Sequence, residues 1–155
     1  MKPKTILSIL VFCLVGIAVG YSQDPFMGTW KLNEKQSIIP AGAPKNNTVI
    51  YQPAGGNIEV TVDGIASDGQ PIHSQWTGQF DGKDYPVTGD PNSETRAYTK
   101  LNDHLLSYTV KKGGKETTVG RVGIASDGKS RTATGTGTNA EKGERASTTS
   151  VFEKR

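Results

Sequence analysis

The sequence predicts a single all-β domain of about nine or ten short antiparallel strands, a sandwich or an up-and-down barrel, behind an N-terminal export signal. Apolar and polar residues alternate with a period of two along much of the chain, as in strands with one inner and one outer face, and helical spacing is nearly absent. Glycine-bearing turn signals recur at roughly 8–12-residue intervals, the rhythm of sandwich or barrel strands. After the signal only 38 of 133 residues are apolar. That is too few for a large dry core, and it suits a thin β-structure with a partly polar interior.

The first 22 residues have the three parts of a cleavable signal peptide. Lys2 and Lys4 give a positive start, Ile6 to Val19 is almost wholly apolar, and Ala18, Gly20 and Ser22 supply small residues for cleavage, with the mature start near Gln23. The apolar run falls short of the roughly 20 residues that span a bilayer, so removal is expected rather than anchoring. Residues 23–155 then form the domain. No second run is long enough to cross a membrane, and the expected location is periplasmic or extracellular. Cys13 follows Phe12 in mid-run, the wrong place for a lipid-modified cysteine, and its loss leaves the mature chain without thiol chemistry.

In order along the chain, Ile58, Val60 and Val62 alternate with Glu59, Thr61 and Asp63. Ile72, Ser74, Trp76, Gly78 and Phe80 form the next row, and Leu106, Tyr108 and Val110 another. Thr132, Thr134, Thr136 and Thr138 alternate with Ala133, Gly135 and Gly137, and Val151 with Phe152 lies near the end. Turns are expected at Ala54–Asn57, Ser67–Gly69, Asp81–Lys83, Asn102–Asp103, Lys112–Lys115, Ser126–Gly128 and Glu141–Gly143. Helix is confined to a turn near Asn33–Ser37. The stretch Glu34 to Lys45 holds Pro40 and Pro44 and reads as a loop, its Ile38–Ile39 pair folding over an opening or packing on the rim. The hexamer Gly64–Gly69 recurs as Gly123–Gly128 with diverging flanks, which reads as one turn solution used twice.

Removing the signal lowers the formal charge from +3 to +1. No basic stripe remains for a nucleic-acid surface, and none is expected as a partner. The mature chain holds His73 and His104 and no cysteine. Metal-ligand spacing, a nucleophile elbow and a calcium-loop pattern are all missing, so neither a metal nor a cofactor nor catalysis is expected. His73 is out of phase with Ile72 and Trp76 and is expected to face solvent; His104 lies at a turn. Asn46-Asn47-Thr48 matches a glycosylation sequon, but the short Lys-bearing signal suggests a bacterium, where it would be idle.

The run Phe26-Met27-Gly28-Thr29-Trp30-Lys31-Leu32 resembles the opening strand of the calycin superfamily, the lipocalins and fatty-acid-binding proteins, which often read Gly-Thr-Trp-Lys-Leu. The tail Val151-Phe152-Glu153-Lys154 is similar to the last strand of fatty-acid-binding proteins, and in a closed barrel first and last strands are neighbours. With Asp81–Gly89, the whole chain resembles small exported bacterial proteins called lipocalin-like, a family without an assigned activity. The resemblance implies a calycin-like, antiparallel up-and-down β-barrel in which Gly28 bends the chain and Trp30 plugs one end. There are departures. Residues 34–45 are too short and proline-rich for a two-helix lid. Ser150-Val151-Phe152 stands where fatty-acid-binding proteins carry an Arg-x-Tyr carboxylate clamp, so that clamp does not carry over. Lipocalins often set an arginine against the first-strand tryptophan, and Arg145 and Arg155 are the candidates here.

What remains is binding. The expected lining of the interior is Tyr51, Trp76, Phe80, Tyr98 and Tyr108, with Arg96, Arg121 or Arg131 as a polar anchor. The expected ligand is a small apolar or amphipathic molecule in a cavity of about a few hundred Å³. The competing reading is a non-catalytic structural or interaction protein of the cell envelope, whose aromatic residues simply fill the barrel.

Overall fold

The computed structural model describes residues 24–138 and 143–155. The export signal expected at 1–22 lies outside them, as does part of the expected Glu141–Gly143 turn. Ten strands follow one another: β1 Gly28–Leu32, β2 Lys45–Ala54, β3 Asn57–Ile65, β4 Pro71–Gly78, β5 Tyr85–Thr88, β6 Thr95–Asn102, β7 Leu105–Lys112, β8 Lys115–Ile124, β9 Ser130–Thr138 and β10 Arg145–Lys154. Each is antiparallel to its sequence neighbour, and β1 pairs with both β2 and β10. The sheet is therefore a closed up-and-down barrel, as the alternation and the matched chain ends imply. A 3-10 turn, Glu34–Gln36, falls within the expected short helical segment, with the Asn33 side chain capping Gln36 N–H at 3.3 Å.

The period-2 rows orient the wall. Val60 and Val62 of β3, Ser74 and Trp76 of β4, Leu106 and Val110 of β7 and Val122 of β8 are all buried. On β9 the threonines take the outer positions, so Arg131, Ala133, Gly135 and Gly137 face inward. The two hexamers share one inner turn, and the second loop runs a residue longer before it closes. Ala66 N–H donates to Gln70 O and Gly69 N–H to Ala66 O; Ala125 N–H donates to Ser130 O and Gly128 N–H to Ala125 O. Asp68 and Asp127 brace the two turns alike, each accepting from the backbone two residues on.

One end is closed by the segment before β1. Asp24 accepts from Phe26 N–H at 3.1 Å, turning the chain so that Phe26 enters the barrel. Trp30 is wholly buried, and its Nε1–H donates to the Phe26 carbonyl at 2.9 Å. Gly28 sits at φ +120°, where a side chain is disfavoured, and a Cβ there would lie 2.9 Å from Lys154 Cε. The cation over Trp30 is Lys154, Nζ 5.1 Å from the ring, rather than Arg145 or Arg155. The β1–β10 register sets Lys154 directly opposite Trp30.

Two further expectations are corrected. The β4 row ends at Gly78 instead of running on to Phe80. Phe80 lies in the following loop, where its carbonyl accepts from Lys100 N–H at 3.1 Å while its ring returns to the interior. Ile38 does not cover an opening: its backbone pairs with Thr149 of β10, and its side chain is 70 % exposed.

Candidate functional site

The barrel interior has two unlike halves. In one, aromatic rings pack together: Trp76 stacks on Phe80 at 6.3 Å and meets Tyr98 edge-on at 4.9 Å, while Phe80 touches Tyr51 at 6.4 Å and Phe26 at 6.0 Å. Such pairs contribute about 0.5–1.5 kcal/mol each beyond the area they bury. The Trp76 indole N–H is satisfied by the Arg96 carbonyl at 2.8 Å. In the other half, the register of β8, β9 and β10 lines up Gly120 with Gly135 and Thr148, and Val122 with Ala133 and Ser150. Val122 apart, that wall is made of small side chains.

Tyr108 of β7 lies across the small wall. A Cβ on Gly120 would come 2.6 Å from the Tyr108 ring, and one on Gly135 would come 2.5 Å from its hydroxyl. Both positions must be glycine for the ring to lie there. The Tyr108 hydroxyl donates to the Thr134 carbonyl at 3.3 Å, and the ring meets Tyr98 at 6.1 Å.

Polar groups thread between the halves. Arg131 is 5 % exposed; its Nη2 donates to the Tyr51 hydroxyl at 3.2 Å, and its guanidinium lies 4.6 Å from the Phe152 ring centre. Its Nε and Nη1 have no partner among the described residues. Arg96 donates from Nη1 to the Tyr98 hydroxyl at 3.4 Å and sits 3.8 Å from the Asp90 carboxylate, with its Nε unpartnered. Burial opposes the Arg96 charge, but Tyr98 and Asp90 favour it and its pKa ends raised.

Burial also pushes up the phenols of Tyr51 and Tyr108; Arg131 opposes this at both, and Tyr98 reinforces it. Both hydroxyls therefore stay neutral at pH values where an exposed tyrosine ionises. The unfolded chain releases these protons from near the ordinary value of 10.0 while the folded chain keeps them. The stability linked to these groups is thus complete below that pH and is lost as pH rises above it. Thermal denaturation across the alkaline range should show the midpoint falling above about pH 10, and a midpoint constant through that range would contradict it.

Of the sequence candidates, Tyr51, Trp76, Phe80, Tyr98, Tyr108, Arg96 and Arg131 face the interior together. Arg121 does not. It stands opposite Ser107 and Thr134, one residue out of phase with buried Val122, and is exposed on the outer face. Phe26, Phe152 and Asp90 join the interior set without having been singled out as lining. Phe26 and Phe152 lay in motifs read for barrel closure, and Asp90 sits in a loop with no periodic signal. The expected central cavity is occupied by these side chains. Open concavities lie elsewhere on the described residues. An open groove of about 430 Å³ runs between Ile39–Ala43 and Ile65–Gly69, and another of about 440 Å³ lies by Val119, Arg121, Thr134 and Ser147.

His73 faces outward as expected, with Nδ1 2.6 Å from Asp63 across β3 and β4 and both side chains more than half exposed. Among the described residues, no group of three His, Cys, Asp or Glu side chains is arranged to hold a metal ion. No described helix is long and apolar enough to cross a membrane.

No protein-family model matches this chain, and no curated protein matches it. Solved structures do resemble it. EF1p2_mFAP2b bound to DFHBI is 12 % identical, covers 84 % of this chain and 94 % of its own, and superposes with a TM-score of 0.50. A redesigned β-barrel, mFAP1, also bound to DFHBI, is 17 % identical over 84 % of this chain and 95 % of its own, with a TM-score of 0.42. At 12 % identity the likeness to the first of these is one of fold alone.

Proposed function

We propose that this is a non-catalytic, calycin-like barrel that binds a small amphipathic molecule in its interior, outside the cytoplasm. The observation that carries this reading is the asymmetry of the interior. An aromatic half faces a wall of glycine, alanine, serine, threonine and valine, and Tyr108 alone lies across that wall. Trp76, Tyr98 and Tyr51 are buried, whereas Phe80 and Tyr108 are only partly so, and the binding reading requires Tyr108 to turn, giving up its hydrogen bond to Thr134. Turning Tyr108 away uncovers a slot with an aromatic face on one side and the small wall on the other. A flat or chain-like apolar body fits such a slot, and the tyrosine hydroxyls and arginines meet its polar end. EF1p2_mFAP2b, which shares this fold, is bound to DFHBI, and that agrees with a ligand-binding role. The export signal read in residues 1–22 supports the location.

A second reading, a structural or interaction protein with a filled barrel, is favoured by the closeness of the aromatic packing. Apolar residues on the rim support it too, Ile38 at 70 % and Ile65 at 36 % exposure, the latter lining the first groove. Native mass spectrometry of the protein purified from its own cells separates the two. The binding reading expects a bound mass of about a few hundred daltons that is lost on denaturation, a size set by the volume of a slot of this kind. A spectrum showing only the bare chain supports the filled barrel.

A further inference from the structure

Arg131 is the most costly polar group in the interior. Of the five N–H donors of a guanidinium, one on Nε and two on Nη1 are without partners among the described residues, and they are closed to solvent. Its one hydrogen bond goes to a neutral hydroxyl, Tyr51, and the nearest faces are the Phe152 and Tyr51 rings, at 4.6 and 5.5 Å from the guanidinium carbon. The second interior arginine, Arg96, has one carboxylate, Asp90, at 3.8 Å and an unpartnered Nε of its own. The interior thus carries more positive than negative charge. Burying an uncompensated charge is strongly unfavourable, and buried charges are otherwise found paired. A water there would accept a hydrogen bond or two and leave the charge unbalanced. An anion satisfies both the donors and the charge.

We propose that Arg131 receives the oxyanion head, a carboxylate or sulfonate, of an organic molecule whose apolar body lies between Trp76, Phe80 and the small wall. The proposal rests on the interior-ligand reading and specifies the chemistry of its polar end. Tyr51 holds the guanidinium in place from one side, its oxygen accepting from Nη2, so that Nε and Nη1 are the donors left for the anion. The arrangement draws on β9 and β2, not on the last strand, where Ser150-Val151-Phe152 offers no such group.

The test uses two fluorescent probes with one skeleton, 8-anilinonaphthalene-1-sulfonate and its uncharged parent N-phenyl-1-naphthylamine, titrated into the full chain and into its Arg131→Met and Arg131→Lys variants. The proposal expects the sulfonate to bind at least about tenfold tighter than the parent, as a charge-assisted hydrogen bond allows. In Arg131→Met that gap should close to within about twofold while the parent's affinity is kept. Arg131→Lys, which keeps the charge and loses the planar fork, should retain part of the gap. The Lys variant also carries the test if the Met variant fails to fold. Equal affinities in the unaltered protein, or a gap that survives Arg131→Met, overturns the oxyanion assignment and leaves the interior-ligand reading standing. Failure of both probes to bind overturns both. Displacement of the sulfonate probe by an equal concentration of inorganic sulfate assigns the site to a free ion and overturns the organic ligand.

Discussion

Replacing Trp30 with alanine should cost about 3–5 kcal/mol of folding free energy, the range for deleting a fully buried tryptophan. The side chain is wholly buried, its Nε1–H satisfies the Phe26 carbonyl, and Lys154 lies over its outer face. Alanine removes all three contacts and leaves a buried carbonyl without its donor, which adds to the penalty of the cavity. Against a total stability of about 5–15 kcal/mol, the loss is about a fifth at the least. Urea denaturation followed by circular dichroism reads it as a lower midpoint at unchanged slope. Trp30→Phe should recover most of the packing but not the hydrogen bond. A Trp30→Ala midpoint indistinguishable from the parent would show that the indole does not plug the barrel.

The second large effect is expected on the opposite wall. Alanine at Gly120 would drive its methyl group into the Thr134 carbonyl oxygen and the Tyr108 ring. The carbonyl belongs to the paired backbone of β9 and cannot retreat without breaking the ladder. Overpacking of this kind costs about 1–3 kcal/mol and at times more. Alanine at Gly135 meets chiefly the Tyr108 hydroxyl, at 2.5 Å, the far end of a side chain that can move. It should therefore cost less than Gly120→Ala, and Tyr108→Phe should relieve it. Denaturation midpoints for the four variants form a double-mutant cycle between positions 108 and 135. Zero coupling there, or a neutral Gly120→Ala, would show that Tyr108 does not rest on these glycines.

Much of the fold was legible because the code it uses is local. Val60, Val62 and Trp76 face inward for the same reason that His73 and Asp63 face outward: strand side chains alternate, and the sequence alternates with them. The repeated hexamer was readable as a turn because its aspartate and glycine act within a few residues of themselves. Closure was legible through Gly28-Thr29-Trp30 and Phe152, residues that share the β1–β10 seam or flank it. What failed was any inference needing the third dimension. Phe80 continues the β4 parity on paper but belongs to a loop. Arg121 looked like Arg96 and Arg131, and only its phase against Val122 places it outside. The cation on Trp30 is a lysine because the register, not the residue type, selects it. The pairing of Arg131 with Tyr51 joins positions 80 residues apart, and no spacing rule reaches that far.

The central claim is that a small molecule enters between the aromatic half and the small wall. The chain has two tryptophans, and they report on different places: Trp30 sits in the plug and Trp76 in the aromatic half. Protein labelled with 5-fluorotryptophan should give one fluorine resonance for each, assigned through Trp30→Phe and Trp76→Phe. Adding N-phenyl-1-naphthylamine is expected to shift the Trp76 resonance and leave that of Trp30 in place. If Trp76 does not move at saturating probe, or if only Trp30 does, the interior between Trp76 and Tyr108 is not the binding site.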